Sequence, residues 1–184
     1  MKLLIIIIVV FFIVGCAIEN VEKEIVDEVA NMKLTSSAFE HNGKIPSEYT
    51  CDWEDVSPEL NIDEVPSNAK SLALIMDDPD VPKNLRPDGM WVHWVVWNIP
   101  VNTKTIPRAT EPEGMGGNSN FGRAGYGGPC PPDREHRYFF KLYALDIELD
   151  LPEGSTKEEL EKAMEGHIIE KTELIGLYER NKKE

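Results

Sequence analysis

Three groups of polar residues stand out against apolar or Pro/Gly-rich surroundings, and their types are the ones able to do chemistry. Asp78-Pro79-Asp80-Val81-Pro82 sets two carboxylates beside two prolines, whose rings fix φ and so hold the carboxylates in set directions. The same pattern also closes a strand through an Asx-type turn. His93 sits in an apolar run with Trp91 and Trp97, as a ligand contact or as a hydrogen-bonded core histidine. His136-Arg137-Tyr138 follows a Pro/Gly-rich stretch, and its Arg137 reads either as a site cation or as a clamp on a neighbouring carboxylate. Asp78, Asp80, His93 and His136 have the ligand types of a divalent-metal site but not its short-range spacing. A histidine acting as general base on a phosphoester is the hydrolytic alternative. No Ser nucleophile elbow, HExxH or pair of catalytic carboxylates supports it.

The elements that must position these groups are mostly strands. Ser71–Met76 is an apolar strand running into Asp77 and Asp78, and Trp91–Ile99 is apolar on both of its alternating faces, as a central strand of a two-layer structure would be. On simple alternation, Trp91, His93, Val95 and Trp97 share one face. Arg137–Leu145 and Leu174–Tyr178 read as two further strands. The segment from Pro100 to Pro132 reads as a long loop, and structureless loops beyond about 12–15 residues are usually functional. One helix is clear: Ser155 with Glu158 forms a capping box, Leu160, Ala163 and Met164 make the buried stripe, and Gly166 ends it.

Composition narrows the function classes. The chain has 184 residues, 19 Lys plus Arg and 33 Asp plus Glu, a net charge of -14. Its length fits one principal domain, and so acidic a surface repels phosphate backbones, which excludes nucleic acid as a general partner. Lys2 precedes an apolar run, Leu3–Val14, followed by Gly15 and Cys16. Twelve residues make about 18 Å of helix, short of the roughly 30 Å hydrocarbon core. Residues 1–16 therefore read as an export signal or membrane anchor, and Ile13-Val14-Gly15-Cys16 resembles a lipobox with Cys16 as the lipidated residue. The expected location is the cell membrane, lipid- or helix-anchored, with the domain outside the cytoplasm. Residues 17–32 are acidic, with Ile18, Val21, Ile25, Val29 and Met32 at helical spacing, and read as a spacer or stalk, leaving 33–184 as the folded domain.

Singly these signals are weak, but their order is specific. Ile45-Pro46, Tyr49-Thr50-Cys51-Asp52, Asp55-Val56-Ser57-Pro58-Glu59-Leu60, Asp78-Pro79-Asp80-Val81-Pro82, Trp91-Val92-His93-Trp94, Tyr126-Gly127-Gly128-Pro129-Cys130-Pro131-Pro132, His136-Arg137-Tyr138 and Leu174-Ile175-Gly176-Leu177-Tyr178 occur in turn. The chain thus resembles the phosphatidylethanolamine-binding protein family, in its bacterial and archaeal, Raf kinase inhibitor-like branch. The resemblance implies a mostly-β fold, a Greek-key β-sandwich with one or two short peripheral helices and one anion-binding pocket. Carried over by position, that pocket would use Asp78, Pro82, Trp91, His93, Gly128, Pro131, Pro132, His136 and Tyr138. Imidazole and loop N–H groups and a Tyr O–H donate to anions, while Asp78 would accept from a histidine and fix its tautomer. The expectation is then a phosphate held by His93 and His136, more tightly when these are protonated. Arg134 stands where the family commonly has Gly, and would add a cation at the mouth.

The function implied is non-catalytic binding of a small phosphorylated or anionic ligand, without cofactor or metal, and with the membrane contacted through the N-terminal anchor. Regulation of a protease or kinase is the alternative, by analogy with relatives, and hydrolysis ranks below both. If Cys16 carries lipid, Cys51 and Cys130 remain. They form either a disulfide in an oxidising compartment or two small buried thiols.

Overall fold

The structure is a computed structural model, and it describes residues 31–180. The proposed signal and most of the spacer, including Cys16, lie outside the described residues. Met32, the last residue of the apolar stripe, is buried in the core, and its N–H donates to the Glu170 carboxylate at 2.6 Å.

Among the described residues, nine strands build two sheets. β1 (Lys33–Thr35), β3 (Leu60–Asp63) and β6 (Thr105–Ile106) form the smaller sheet, in the order β1-β3-β6. β2 (Gly43–Lys44), β4 (Ser71–Asp78), β5 (Trp91–Ile99), β7 (Met115–Gly116), β8 (His136–Leu145) and β9 (Ile168–Tyr178) form the larger, in the order β2-β9-β8-β4-β5-β7. β2 joins β9 in parallel; every other pairing is antiparallel. Alternation along β4 assigns its two faces. Leu72, Leu74 and Met76 meet Leu34, Leu60, Ile62 and Ile106 of the small sheet, while Ala73 and Ile75 meet Leu160 and Met164 of α1 (Lys157–Met164) on the opposite side. The large sheet is therefore sandwiched between a small sheet and a helix.

α1 starts one residue later than the sequence suggests. Thr156 is its N-cap, accepting from the Glu159 N–H, while the Glu159 carboxylate accepts from the Thr156 N–H. The Ser155 hydroxyl instead donates to Pro152 O at 2.7 Å in the preceding turn. β9 begins at Ile168, six residues before the expected start. Glu170, Lys171 and Glu173 mask its N-terminal half in the sequence, yet each pairs in register with β8. The segment between Pro100 and Pro132 is not structureless, since it contributes β6 and β7.

Alternation fails in β5, and this failure shapes the site. Asp77 pairs with Val92 and Met76 with Trp94, so His93 is an extra residue, a β-bulge opposite β4. Beyond it the phase flips: Trp94 and Val96 face the small sheet, whereas Val95 and Trp97 face α1. Trp97 therefore does not share a face with His93, contrary to the simple reading. A second irregularity follows near Asn98, which adopts φ 55°. Its side chain makes paired hydrogen bonds with the Leu149 backbone, 2.9 and 2.8 Å, a long-range tie that fixes the bend, and Asn is among the residues that tolerate the left-handed region.

Asp77, pointing toward α1, is fully buried and paired with two lysines, Lys141 of β8 at 2.8 Å and Lys157 of α1 at 2.5 Å. The pair with Lys157 ties the helix to the centre of the sheet. A buried carboxylate stripped of such partners would cost roughly 3–5 kcal/mol.

Candidate functional site

The last residue of β4 and the first residues of β5 and β8 meet at one end of the sandwich, bringing Asp78, Trp91, His93, His136 and Tyr138 together. A cavity of about 250 Å³ opens there. Asp78, Trp91, His93 and Pro132 line it, joined by Val81, Leu85, Arg86, Phe121 and Cys130.

Asp78 is held from two sides. Its Oδ1 accepts from the Asp80 N–H at 2.8 Å, the Asx turn that the Asp-Pro-Asp sequence suggested. Its Oδ2 accepts from His136 Nδ1 at 2.7 Å. The other His136 nitrogen, Nε2, lies 2.9 Å from Asp133 Oδ1. Ionised carboxylates only accept, so both bonds together require both ring nitrogens to carry hydrogen. The His136 bond draws the Asp133 carboxyl below the usual carboxylate range. His136 is thus fully buried between two carboxylates and does not line the cavity. It positions Asp78, where the sequence suggested direct contact with an anion. Arg137 is a clamp, with its guanidinium and its backbone N–H both on Asp80, at 2.8 to 3.0 Å. That guanidinium holds the Asp80 carboxyl below its ordinary value.

His93 is buried in a reciprocal pair with the Pro/Gly loop. Its Nδ1 lies 2.7 Å from Gly127 O, and Gly127 N–H donates to His93 O at 3.2 Å. A carbonyl only accepts, so Nδ1 carries the hydrogen and Nε2 is the atom left for a cavity occupant. Burial pushes the imidazole's pKa below its ordinary value, and the nearby Asp78, Asp77 and Asp55 charges oppose that shift. At neutral pH Nε2 is therefore a lone-pair acceptor. This reverses the role expected of His93 from the sequence, where it was to act as a cation. The ring packs edge-on against Phe121 and Tyr138, at centroid distances of 5.5 and 5.3 Å. The Tyr138 hydroxyl is buried, without a partner in hydrogen-bonding geometry. Burial and the neighbouring Asp78 charge push its pKa up, so it stays protonated.

Three lining residues, Leu85, Arg86 and Phe121, had no signal that the sequence analysis used. Phe121 is brought in by Asn120, whose side chain and N–H pair with Val92 N and O at 2.7 and 2.9 Å, setting the Phe121 ring 5.5 Å from Trp91. Arg86 sits on the Lys83–Met90 turn. Pro82 O accepts from both the Leu85 and Arg86 N–H groups, and Gly89 at φ 71° closes the turn onto Arg86 O. The Arg86 guanidinium stacks 5.5 Å from the Trp91 ring and pairs with exposed Asp88. A Leu-Arg-Pro-Asp-Gly turn immediately after a site proline was the readable clue.

The other named residues serve the walls. Pro82 anchors the Arg86 turn and is not itself a lining residue. Gly128 lies against the Tyr49–Asp55 segment, its N–H donating to Asp55 Oδ1 at 2.7 Å. An added Cβ there would fall 2.5 Å from Tyr49 O and Asp55 Oδ1. Cys51 and Cys130 form a disulfide with a Cα–Cα distance of 5.5 Å, and Cys130 lines the cavity. Pro131 faces a second, larger groove of about 590 Å³, bordered by Trp53, Asp52, Arg134, Tyr178 and Arg180; Pro132 divides the two. Arg134 opens on that groove, donating to Asp133 and to Asp80 O, and does not stand at the mouth of the first.

Two packed sheets, one α-helix and a small cavity where the central strands end place the described residues in the class of mostly-β sandwich folds. The family model described as phosphatidylethanolamine-binding protein matches residues 35–179. The chain belongs to the phosphatidylethanolamine-binding protein family, in its bacterial and archaeal branch. It is 50% identical over 155 residues to a UPF0098 protein of Methanothermobacter thermautotrophicus, covering 81% of this chain and 99% of that one. A UPF0098 protein of Chlamydia muridarum is 47% identical over 150 residues, 82% of this chain and all of the relative. Among solved structures, a putative phosphatidylethanolamine-binding protein homologue from Chlamydia trachomatis superposes with a TM-score of 0.80 at 45% identity, covering 83% of this chain and 99% of that one. E. coli YbcL, described as a new member of the mammalian family, gives 0.74 at 28% identity, covering 83% and 100%.

Proposed function

We propose that this protein binds a small phosphorylated or otherwise anionic ligand without transforming it, and that Cys16 tethers the domain to the outer face of the cell membrane. The observation that carries the binding reading is the cavity itself. Hydrogen-bonding groups of His93 and Asp78 meet at its wall, Arg86 supplies a cation at its rim, and Trp91 and Phe121 form apolar sides. At about 250 Å³ it lies below the roughly 300–1,000 Å³ of drug-sized pockets, which suits a headgroup-sized ligand. The non-catalytic reading is supported by the state of the reactive groups: both His136 nitrogens face carboxylates, and the Cys130 sulfur is in the disulfide.

The membrane reading rests on the lipobox-like Ile13–Cys16 and the short apolar run before it. No helix among the described residues is long and apolar enough to cross a membrane. Calorimetric titration with phenyl phosphate tests the binding reading. Saturable heat that disappears in His93→Ala supports it, and no heat anywhere between about pH 5 and 8, the span of histidine titration, ends it. For the anchor, lipid labelling and membrane association should be lost together in Cys16→Ser, and a variant that stays in the membrane would reject lipidation as the tether.

A further inference from the structure

The inner wall of the cavity is built for a donor, although the ligand read above is an anion. His93 Nδ1 donates to Gly127 O, so Nε2 presents a lone pair inward. Beside it stands the Asp78 carboxylate, which accepts from the Asp80 N–H and from His136. A fully ionised phosphate pressed against these two groups would set oxygen lone pairs against a carboxylate and an imidazole lone pair. Each buried acceptor left without a hydrogen loses on the order of tenfold in affinity or more. One proton on the ligand turns the same contact into a hydrogen bond. The positive end of the cavity is elsewhere: Arg86, stacked on Trp91 and shared with the exposed carboxylate of Asp88, is the cation among the lining residues, and it stands at the rim. Between the two ends the walls are apolar, from Trp91, Phe121 and Leu85.

We propose that the cavity selects a singly ionised phosphomonoester, its one O–H directed at His93 and Asp78, its charged oxygens at Arg86, and its apolar substituent against the wall that Trp91 and Phe121 form together. This rests on the anion-binding reading and sharpens it, because a site that must receive a hydrogen from its ligand rejects an equally charged analogue that has none.

Gly127 O and the Phe121 and Tyr138 rings face His93, the Asp78, Asp77 and Asp55 charges act on it from nearby, and Arg86 keeps its charge throughout. The pH variable is therefore the ligand's own second ionisation, near 6 for a phosphomonoester.

Phenyl phosphate and phenyl sulfate provide the test on the unmodified protein. At about pH 6 both offer a monoanion of nearly the same shape, and only the phosphate has an O–H. Phenyl phosphate should bind at least tenfold more tightly. Its apparent affinity should fall about tenfold per pH unit above the second ionisation, while that of phenyl sulfate stays level. Arg86→Gln, a substitution at a half-exposed rim residue, should weaken both anions by a similar factor and leave their ratio unchanged. Dihexanoyl phosphatidate competing with phenyl phosphate would add a lipid as a source of the same headgroup, and failure to compete would confine the site to soluble monoesters; the O–H selectivity holds with either. Equal binding of sulfate and phosphate, tighter binding of the dianion, or no effect of Arg86→Gln overturns the proposal but leaves anion binding intact. Absence of heat with both anions overturns the two together.

Discussion

Replacing both Cys51 and Cys130 by serine should destabilise the protein substantially while leaving the pocket nearly as it is. The bridge spans 79 residues, and the chain-entropy relation for a loop of that size gives about 4.5 kcal/mol at 25 °C. In the folded state the same junction has other ties. Cys51 N–H donates to Pro129 O, the Tyr126 hydroxyl to Tyr49 O at 2.7 Å, and Gly128 N–H to Asp55. The loop's shape therefore survives without the bridge, and the loss acts through the freed unfolded chain. Residual structure in that chain lowers the figure, so a decrease of about 3–4 kcal/mol is expected, or roughly 10 °C in Tm for a domain of this size. Urea unfolding of oxidised parent and double variant is the assay. The m-value should rise in the variant, because an uncrosslinked unfolded chain exposes more surface. Phenyl phosphate affinity should change less than threefold, about 0.65 kcal/mol. Coincident unfolding curves would refute the reasoning. So would two reactive thiols in denatured, unreduced protein carrying Cys16→Ser, since no bridge would then exist to remove.

Two further outcomes are expected. Gly128→Ala places a methyl against Tyr49 O, Asp55 Oδ1 and the Thr50 Cα, and should lose about 1–3 kcal/mol together with anion affinity; parent-like values in both urea unfolding and calorimetry would contradict the close packing described. Stability should also decline as pH falls below about 6.5, because unfolded His93 takes up a proton there while the buried ring, with its lowered pKa, resists it. The contribution is complete above 6.5, it precedes the losses from Asp80 and Asp133 at lower pH, and His93→Phe should flatten it in urea midpoints measured across pH 5 to 7.

The parts of this fold that could be read in advance are those in which one local rule acts alone. Ser71–Met76 and Arg137–Leu145 are long apolar runs bounded by turns, and both are strands close to the expected limits. Reading failed where a second requirement displaced the first. The bulge at His93 reverses the alternation of β5, and a sequence window carries no mark of an extra residue that only its partner strand reveals. Ser155 and Thr156 are both good caps, each with a Glu three residues on, and only the backbone path shows that Thr156 takes the position while Ser155 turns to Pro152 O. At the site, residue types were legible but not their partners. Whether an imidazole faces the ligand or a carboxylate depends on Asp133 for His136 and on Gly127 O for His93, contacts that no spacing rule encodes. Arg86 and Phe121 come from turns, where position follows from backbone hydrogen bonds to Pro82 and Val92.

The adjacent carboxylates Asp77 and Asp78 leave β4 in opposite directions, one tied to Lys141 and Lys157 beneath α1, the other to His136 at the cavity. A strand of hydrophobic residues on both faces has little in its apolar pattern to prevent a slip of one position, since either phase buries leucine, isoleucine and alanine. The ion pairs supply what that pattern lacks. Shifted by one residue one way, β4 would set Met76 against the two lysines; shifted the other way, it would set Pro79 in place of Asp78 at His136, so either slip leaves one buried charge cluster without its carboxylate. Chains that mispair during folding are therefore sorted by the same two charges that fix the helix and the site, and a pocket with its carboxylate misplaced has no stable sheet to belong to.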